Sequence, residues 1–489
     1  MDAIKVDGMR FVDEHGRERI FSGMNVVDKK DFDESKRGYG YPSDDFPFEE
    51  FRARGYDMIR LGFTWSAMEP KPGHYNETLI GDLCKFLDKC EEYGIYAYLD
   101  CHQDVYSSYC YGDGAPRWAT ITDNYVPRKQ IAVWAEPYFF GNACFRAFDN
   151  FWANVKYNGK GLQDYFADMW KHLADAVKDK PALFGFDFLN EPFPGADGGK
   201  IFRRIVMGLA KTTVTDSRID KIKLIKEGLG SEKIRVLDQY TGDVLRKVTA
   251  DCDKIVKRFD SERYSPFVSK MASAVRETTD RGCMFMGNNY YSNLGIPCCN
   301  TPVKVNGERE SLQVYAPHAY DLMVDTPAYK YASNSRVGMI FDQHRRTQER
   351  LNVPCLVGEW GSCAEGDGWY PHIEFLQNKF DSYKWSNTYW CYFDDILKQD
   401  FMKVLTRPRP KAVTGEIVSY KYDREDEEFT LKYTQDKKFK VPTVIYVHKK
   451  PESIECDGKY KLIELPGNIG YDVEIKTAAG EHEIKIKFD

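Results

Sequence analysis

Eight short apolar runs recur between residues 20 and 393, and each turns polar or aromatic at its C-terminal end. They are IFSGMNVV (20–27), DMIRLGFTW (57–65), IYAYLDCHQD (95–104), LFGFDFLNEP (183–192), CMFMGNNYY (283–291), QVYAPHAY (313–320), VPCLVGEW (353–360) and SNTYWCYF (386–393). Helical stretches such as 81–94 and 162–181 lie between them. Apolar runs alternating with helices predict a parallel sheet. Functional groups at nearly every strand end favour an α/β fold of the (β/α)8 TIM barrel type over a doubly wound sheet.

The remaining segments complete the predicted architecture. Residues 9–21 predict a hairpin with Gly16 in its turn, placed to close the bottom of the barrel. Long connections at 105–161 and 193–282 follow the third and fourth strands, and loops of such length are usually functional. From about residue 410 the apolar positions alternate, which predicts an antiparallel β-sandwich. We therefore expect a barrel domain over 1–405 and a sandwich domain over 410–489.

Composition narrows the class of ligand only slightly. The 489 residues exceed one barrel of roughly 250 residues and suit a barrel with a second domain. Aromatic residues make up 15% of the chain, which fits a sugar or lipid ligand and equally fits a bulky core. The net charge of −6 argues against nucleic acid as a partner, because phosphate backbones require a cationic surface.

The cellular compartment is predicted from the N-terminal residues, from the length of the apolar stretches and from the cysteines. Charges interrupt the N-terminal residues, so no signal peptide is evident, and no apolar stretch reaches the roughly 20 residues of a membrane span. Thirteen cysteines show no metal-binding spacing, and several lie inside predicted strands. We expect a cytoplasmic protein; the alternative is a secreted protein from which a signal peptide has been removed.

Two glutamates stand at the ends of the fourth and seventh predicted strands: Glu191 in Asn190-Glu191-Pro192, and Glu359 in VGEW. The C-terminal ends of these strands face each other across a barrel mouth. Cleavage of a glycosidic bond with retention requires two carboxyl groups about 5–5.5 Å apart. Glu191 is the expected general acid/base and Glu359 the expected nucleophile. Taken singly, Glu191 could equally be a helix-start carboxylate and Glu359 a surface residue.

With these residues the chain resembles the family 5 glycoside hydrolases over about residues 15–400. The resemblance implies that Arg60, in IRLGFTW, supports the nucleophile, that Asn190 binds the sugar 2-hydroxyl, and that Tyr320 steadies Glu359. It also places His318 in the active-site shell and Trp390 under the first sugar.

Within that family the chain is similar to endoglycoceramidases and glucosylceramide-cleaving β-glucosidases. The motifs are LDCHQDVYS (99–107), YGDGAPRWA (111–119), FDNFW (148–152) and GFDFLNEPFPG (185–195). The resemblance implies that His102 and Asp104, joined by Lys29, hold hydroxyls of the first glucose, and Trp118 is a further expected substrate contact. Asp104 as a solvated loop charge is an equal alternative.

An apolar trough is expected beyond the scissile bond. The loop after strand three brings Trp118, Trp134, Phe139, Phe140, Phe148 and Trp152, and helix 201–211 brings an apolar stripe flanked by Arg203, Arg204 and Lys211. Such a stripe suits the surface of a lipid aggregate. An ordinary amphipathic helix packed on the barrel is the competing interpretation.

The predicted function is a retaining β-glycosidase that separates glucose, or a glucose-linked glycan, from a hydrophobic aglycone such as ceramide. The first alternative is an exo-acting β-glucosidase on steryl, flavonoid or other soluble β-glucosides. The second is a catalytically silent glycolipid-binding barrel, although both glutamates are present. The sequence contains no HExxH, phosphate loop or GxGxxG after a strand, so no metal and no cofactor are expected. The partners expected are a glycoside or glycolipid and, peripherally, a lipid surface.

Overall fold

The computed structural model describes residues 1–131, 133–230, 233–324, 326, 328–361 and 367–489. In chain order its strands are β1 (Ile4–Asp7), β2 (Arg10–Asp13), β3 (Arg17–Arg19), β4 (Ser22–Val27), β5 (Met58–Thr64), β6 (Tyr96–His102), β7 (Lys156–Tyr157), β8 (Lys160–Gly161), β9 (Leu183–Asp187), β10 (Cys283–Gly287), β11 (Lys304–Val305), β12 (Glu308–Arg309), β13 (Gln313–Ala316), β14 (Leu356–Val357), β15 (Ser386–Tyr389), β16 (Arg409–Thr414), β17 (Glu416–Asp423), β18 (Glu428–Gln435), β19 (Thr443–Val447), β20 (Ser453–Glu455), β21 (Lys459–Glu464), β22 (Tyr471–Lys476) and β23 (Gly480–Lys487).

The helices, also in chain order, are α1 (Phe48–Ala53), α2 (Trp65–Met68), α3 (Glu77–Glu92), α4 (Glu136–Phe140), α5 (Asn142–Trp152), α6 (Leu162–Val177), α7 (Ala196–Thr215), α8 (Lys221–Leu229), α9 (Gly242–Thr249), α10 (Asp253–Phe259), α11 (Ser265–Arg276), α12 (Asn334–Leu351), α13 (Tyr370–Tyr383) and α14 (Met402–Leu405). Within the described ranges, no helix combines the length and the apolar character that crossing a membrane requires.

The predicted barrel is confirmed. Strands β4, β5, β6, β9, β10 and β13 pair in parallel in that order, and β14 pairs with β15, which returns to β4. A parallel bridge between Tyr315 and Cys355 joins β13 to β14 and closes the ring. Each of the eight predicted apolar runs contains one of these strands. All the strand C-termini therefore point to one mouth, where the polar strand ends collect.

The opposite end of the barrel is filled by side chains. Phe11, Phe21 and Phe184 meet edge to face there, with ring centroids 5.0–5.7 Å apart. Phe11 lies on the predicted hairpin, which β2 and β3 form around Gly16 at φ +83°. The hairpin therefore covers the barrel bottom, as its apolar residues predicted.

The same hairpin also belongs to the C-terminal sheets. A seven-stranded sheet has the order β1-β2-β3-β16-β19-β22-β21, and a four-stranded sheet has the order β17-β18-β23-β20. Val413, Ile445 and Val473 from the first sheet share a core with Leu431 and Ile484 from the second. The predicted sandwich is thus present, and strands from residues 4–19 extend its larger sheet.

The two long connections fold into helices above the barrel mouth. Helices α4 and α5 lie in the segment after β6, although its sequence shows little helical periodicity. Helices α7 to α11 lie in the segment after β9, and they carry most of its length. Both insertions leave the barrel at its C-terminal end, so they form walls of the mouth rather than braces of the barrel.

Candidate active site

Glu191 and Glu359 face each other at the barrel mouth. Glu191 follows β9 and Glu359 follows β14, and both side chains are buried. A carboxylate oxygen of Glu191 lies within 4.8 Å of a carboxylate oxygen of Glu359, with His318 between them. This separation suits direct attack by one carboxylate, since an inverting pair stands about 6.5–9.5 Å apart to admit a water.

Glu191 is held by groups that leave its carboxyl facing the cavity. The Asn293 side-chain amide donates to Oε1 of Glu191 over 2.7 Å, and Nδ1 of His318 lies 3.3 Å from the same oxygen. Asn293 is in turn fixed by the amide of Asn288, 2.6 Å away. The backbone of Glu191 has φ +39°, a left-handed conformation that costs energy for a residue with a Cβ. Such strain is found where a side chain must be aimed precisely.

Glu359 has a different electrostatic environment. Nη1 of Arg60 donates to its Oε1 over 2.5 Å, and the Tyr320 hydroxyl donates to its Oε2 over 3.0 Å. Burial raises the pKa of Glu359, but the charges of His318, Arg60, His102 and Lys29 outweigh burial and lower it below its ordinary value. Glu359 is therefore ionised, which the nucleophilic role predicted for it requires.

Arg60 is the centre of a buried network that sequence reasoning identified only in part. Its guanidinium contacts Asp100 over 2.8 Å and Asp187 over 2.9 Å as well as Glu359, and its side chain is fully buried. Asn190 accepts from Nη2 of Arg60 over 3.1 Å. Asp100 and Asp187 were not predicted as site residues. The available signal was a single aspartate inside an otherwise apolar strand, which requires a buried cationic partner.

A second polar cluster lies beside Glu359, where the first sugar was expected. Nζ of Lys29 lies 2.5 Å from Oδ2 of Asp104, and Nε2 of His102 lies 3.5 Å from the same oxygen. Nδ1 of His102 contacts Asp100 over 2.9 Å. The Trp390 ring stacks on His102 with centroids 5.3 Å apart and is covered by Lys29. The structure thus brings the predicted glucose contacts together on one wall of the cavity. We call this group, Lys29, His102, Asp104 and Trp390, the sugar wall.

Asp113 also lies on this wall, although the sequence did not predict it as a site residue. Its backbone pairs with that of Asp104 in an antiparallel bridge, and its Oδ1 accepts from the Asp104 amide over 3.1 Å. Burial and the charge of Asp104 raise the pKa of Asp113 to about 7. Nothing in the local sequence separates this aspartate from an ordinary loop residue, because only the bridge brings it to the sugar wall.

The charge state of His102 leads to a pH prediction. Burial and Lys29 lower the pKa of His102, but hydrogen bonds and charge from Asp100 and Asp104 outweigh them and raise it to about 10. Since this exceeds the unfolded value near 6.5, the stabilisation is complete below pH 6.5 and is lost as the pH rises through about 10. We expect the free energy of unfolding, measured in urea, to fall over that interval. In the His102→Gln variant it should fall less.

The control for His102 is His172→Gln on the surface, where His172 pairs with Glu77 over 2.8 Å. This variant should keep the wild-type fall in stability between pH 6.5 and 10. Parallel curves for wild type and His102→Gln would contradict a protonated His102.

Trp118 lies outside this cavity, so the structure does not bring it together with the other predicted site residues. Its indole nitrogen donates to the carbonyl of Glu69 over 3.2 Å, and its ring packs against Trp65 and Tyr165. It lines a separate surface cleft with Tyr109 and Tyr157. Trp118 itself lies in a 3-10 turn at Arg117–Ala119.

A large cavity connects the carboxylates of Glu191 and Glu359 to an apolar wall. The cavity has a volume of about 620 Å³ and contains Glu191 and Glu359 together with the sugar-wall residues. Its apolar lining comes from both insertions and from the loops after β10 and β13, namely Val133, Trp134, Phe139, Phe202, Ile205, Tyr290, Leu294 and Leu322. The predicted trough is therefore present, although Phe148 and Trp152 are buried in the core beneath it.

Two acidic clusters in the cavity have the spacing of metal ligands: Glu191 with His318 and Glu359, and His102 with Asp104 and Asp113. In the second, the Lys29 ammonium lies 2.5 Å from Asp104 and supplies the cation. In the first, the Arg60 guanidinium already neutralises Glu359. In each cluster a protein cation thus already lies beside the carboxylates.

Known proteins share this architecture. A family model described as cellulase (glycosyl hydrolase family 5) matches residues 12–395, and the family 5 C-terminal domain model matches residues 407–486. An endoglycoceramidase of Cyanea nozakii is 34% identical over 216 residues, which are 40% of this chain and 42% of that protein. A glucosylceramidase of Rhizopus delemar is 27% identical over 247 residues, covering 40% of this chain and 36% of that protein. The matches thus span about two-fifths of these curated relatives.

The fold is also that of a solved enzyme. Endo-glycoceramidase II from Rhodococcus sp. superposes with a TM-score of 0.74 at 21% identity, over 98% of this chain and 99% of that one. Structures of that enzyme include a ganglioside GM3 complex and a lactosyl-enzyme intermediate. Since the cellulase model spans most of the barrel and its own C-terminal domain follows, the chain belongs to glycosyl hydrolase family 5.

Proposed function

We propose that this protein is a retaining β-glycosidase that releases glucose, or a glucose-linked glycan, from a hydrophobic aglycone of the ceramide type. The observation that carries the proposal is the pair of buried carboxylates within 4.8 Å of each other, placed between a polar sugar wall and an apolar trough. The names of the relatives, endoglycoceramidase and glucosylceramidase, support the same class of substrate.

Two steps use the two glutamates differently. In the first step the ionised Glu359 attacks the anomeric carbon while Glu191 gives its proton to the departing glycosidic oxygen. In the second step Glu191 takes a proton from a water, which attacks the glycosyl-enzyme and releases the sugar. Arg60 and Tyr320 each hold one oxygen of Glu359, so the attacking carboxylate is fixed before the sugar binds.

The sugar wall offers both donors and acceptors to the first glucose. Lys29 and protonated His102 donate, while Asp104 accepts and keeps one oxygen for a hydroxyl. Asn190 lies 3.5 Å from His102 and adjoins Glu191, the position from which an amide reaches the sugar 2-hydroxyl. Trp390 lines the cavity below this cluster and offers an aromatic face to the ring.

The apolar trough favours a lipid aglycone over a second sugar. Phe139 and Phe202 lie with ring centroids 4.7 Å apart and form part of the trough wall. Alkyl chains gain about 0.8 kcal/mol per methylene on such burial, whereas sugar hydroxyls would lose hydrogen bonds there. A soluble cello-oligosaccharide therefore fits the trough less well than a sphingoid or acyl chain.

The test of the proposal is product analysis. Incubation with glucosylceramide, lactosylceramide and cellotetraose in detergent should yield ceramide from at least one glycolipid and little product from cellotetraose. Free glucose from glucosylceramide alone would identify exo-acting cleavage, and intact lactose from lactosylceramide would identify endo-acting cleavage. Cleavage of cellotetraose with neither glycolipid attacked would refute the lipid aglycone.

Chain-length dependence gives a second measurement on the same trough. We expect kcat/KM for alkyl β-glucosides to rise from methyl to octyl, by roughly fourfold for each methylene that becomes buried. Phe202→Ser should flatten this rise because it removes apolar wall, while leaving hydrolysis of an aryl glucoside nearly unchanged. Equal kcat/KM for methyl and octyl glucosides would show that the trough binds no alkyl chain.

A cytoplasmic location is a further part of the proposal. Cys101 and Cys283 are buried free thiols within barrel strands, and Cys355 is a third beside β14. Free thiols of this kind are typical of a reducing compartment. The location can be tested by fractionating the source cells and assaying each fraction for aryl glucosidase activity. The activity counted is that which a strain lacking the protein does not show.

A further inference from the structure

The segment that follows Glu191 departs from the rest of the chain in its charge. Residues 200–235 contain ten lysines and arginines against four acidic residues, a net charge of +6, whereas the whole chain carries −6. This segment covers most of α7, all of α8 and the turn after it. A basic segment of this size on an acidic protein indicates an anionic binding partner.

Helix α8 carries three large apolar side chains that are exposed to solvent. Ile222, Ile225 and Leu229 are 68%, 63% and 83% exposed, and the spacing of three and four places them on one stripe. Leu224, on the opposite face, packs against the small core around Tyr240 and Val244. The stripe therefore faces outward while the other side anchors the helix.

Lysines border this stripe on both sides. At 100° per residue, Lys221 lies on one flank, and Lys226 and Lys223 lie on the other. All three are exposed. An apolar stripe between lysine flanks is the pattern of a helix lying in the interface of an anionic membrane.

Helix α7 also exposes apolar side chains, and it reaches the cavity. Met207 and Val214 on its outer face are 71% and 69% exposed. Phe202 and Ile205, on its inner flank, line the trough. The Lys221 ammonium donates to the Val214 carbonyl over 3.2 Å, which fixes the start of α8 beside the end of α7.

We propose that the outer faces of α7 and α8 form a docking surface for an anionic lipid bilayer, which holds the trough beside the lipid phase. The apolar stripes enter the headgroup region, and the flanking lysines contact lipid phosphates and carboxylates. Charge complementarity selects a lipid surface with negative charge over a neutral one. The proposal deepens the proposed function, because a glycolipid with two chains leaves its bilayer only with difficulty and must be reached there.

The experiment is co-sedimentation of the full chain with phosphatidylcholine vesicles, prepared with and without phosphatidylserine. We expect binding to the vesicles containing phosphatidylserine, weakened by salt, and little binding to phosphatidylcholine alone. The charge-reversed variant Lys221→Glu/Lys223→Glu/Lys226→Glu should bind at least about 100-fold more weakly, since each basic charge contributes roughly fivefold. The variant Ile222→Ser/Ile225→Ser/Leu229→Ser should also lose binding.

The matched control is Lys459→Glu/Lys461→Glu/Lys476→Glu, which makes the same charge change on exposed positions of β21 and β22. It should bind vesicles like the wild type, and all variants should hydrolyse a soluble aryl glucoside at the wild-type rate. Equal weakening in the control, or equal wild-type binding to both kinds of vesicle, would overturn the docking surface. A triple lysine variant that binds phosphatidylserine vesicles like wild type would also overturn it.

Sedimentation requires no turnover, so the two proposals fail separately. A chain that binds phosphatidylserine vesicles but cleaves no glycoside would keep the docking surface and lose the proposed function. A chain that cleaves glycosides but binds neither vesicle would keep the function and lose the docking surface.

Discussion

Replacing Glu359 with glycine is expected to lower kcat/KM for every glycoside by on the order of 10⁵-fold, a loss comparable to removal of the nucleophile in other hydrolases. The physical reason is that Glu359 is ionised and held by Arg60 and Tyr320 at the position from which it attacks. Steady-state kinetics with an aryl β-glucoside measure the loss.

Chemical rescue separates loss of the nucleophile from a damaged fold. Azide fits the space left by the carboxylate and attacks from the same face as Glu359, so the variant should form an α-glycosyl azide. The control is Glu349→Gly, on the exposed end of α12, where the carboxylate pairs with Arg345 over 2.8 Å. That variant should keep wild-type activity. A β-glycosyl azide from Glu359→Gly would assign the nucleophile to another residue.

The barrel and the two glutamates could be predicted because they depend on local patterns. Continuous apolar runs of strand length, each ending in polar residues, leave few alternatives to parallel strands around one mouth. Glu191 and Glu359 follow two of these strands directly, so their strand positions fix their approximate places. The two carboxylates then face each other because the strands that carry them lie across the barrel from one another.

The residues that were missed depend on contacts between distant parts of the chain. Asn293 lies a hundred positions from Glu191 and reaches it only through the turn after β10. The pairing of β3 with β16 joins residues about four hundred positions apart, and no local pattern specifies it. Such pairings are set by tertiary packing, which single-sequence patterns do not record.

Trp118 illustrates how far a sequence motif places its residues. It belongs to YGDGAPRWA, whose first part reaches the cavity through Asp113. Gly112 and Gly114 let the chain pass close to Asp104 and Gln103, where a Cβ would meet backbone or side-chain atoms. Trp118, five positions after Asp113, lies outside the cavity, so nearness in sequence does not mean nearness to the cavity.

Replacing Glu191 with alanine should have an effect that depends on the leaving group. An alkyl glucoside needs protonation of its departing oxygen, and its kcat/KM should fall about 10²–10⁴-fold, the usual contribution of a general acid. A dinitrophenyl glucoside leaves without protonation, so its glycosyl-enzyme should still form rapidly. Loss of the base then slows hydrolysis, and a burst of dinitrophenol followed by a slow steady rate should appear in stopped flow.

Azide distinguishes this variant from the nucleophile variant. It needs no general base, so it should accelerate the slow step of Glu191→Ala and yield a β-glycosyl azide, the configuration opposite to that expected with Glu359→Gly. Asn293→Ala is the matched control: it removes the 2.7 Å hydrogen bond to Glu191 but leaves the carboxyl in place. It should lower activity modestly, without a burst and without azide rescue. An equal loss for alkyl and dinitrophenyl glucosides in Glu191→Ala would mean that Glu191 positions the substrate rather than protonating it, since only proton transfer depends on the leaving group.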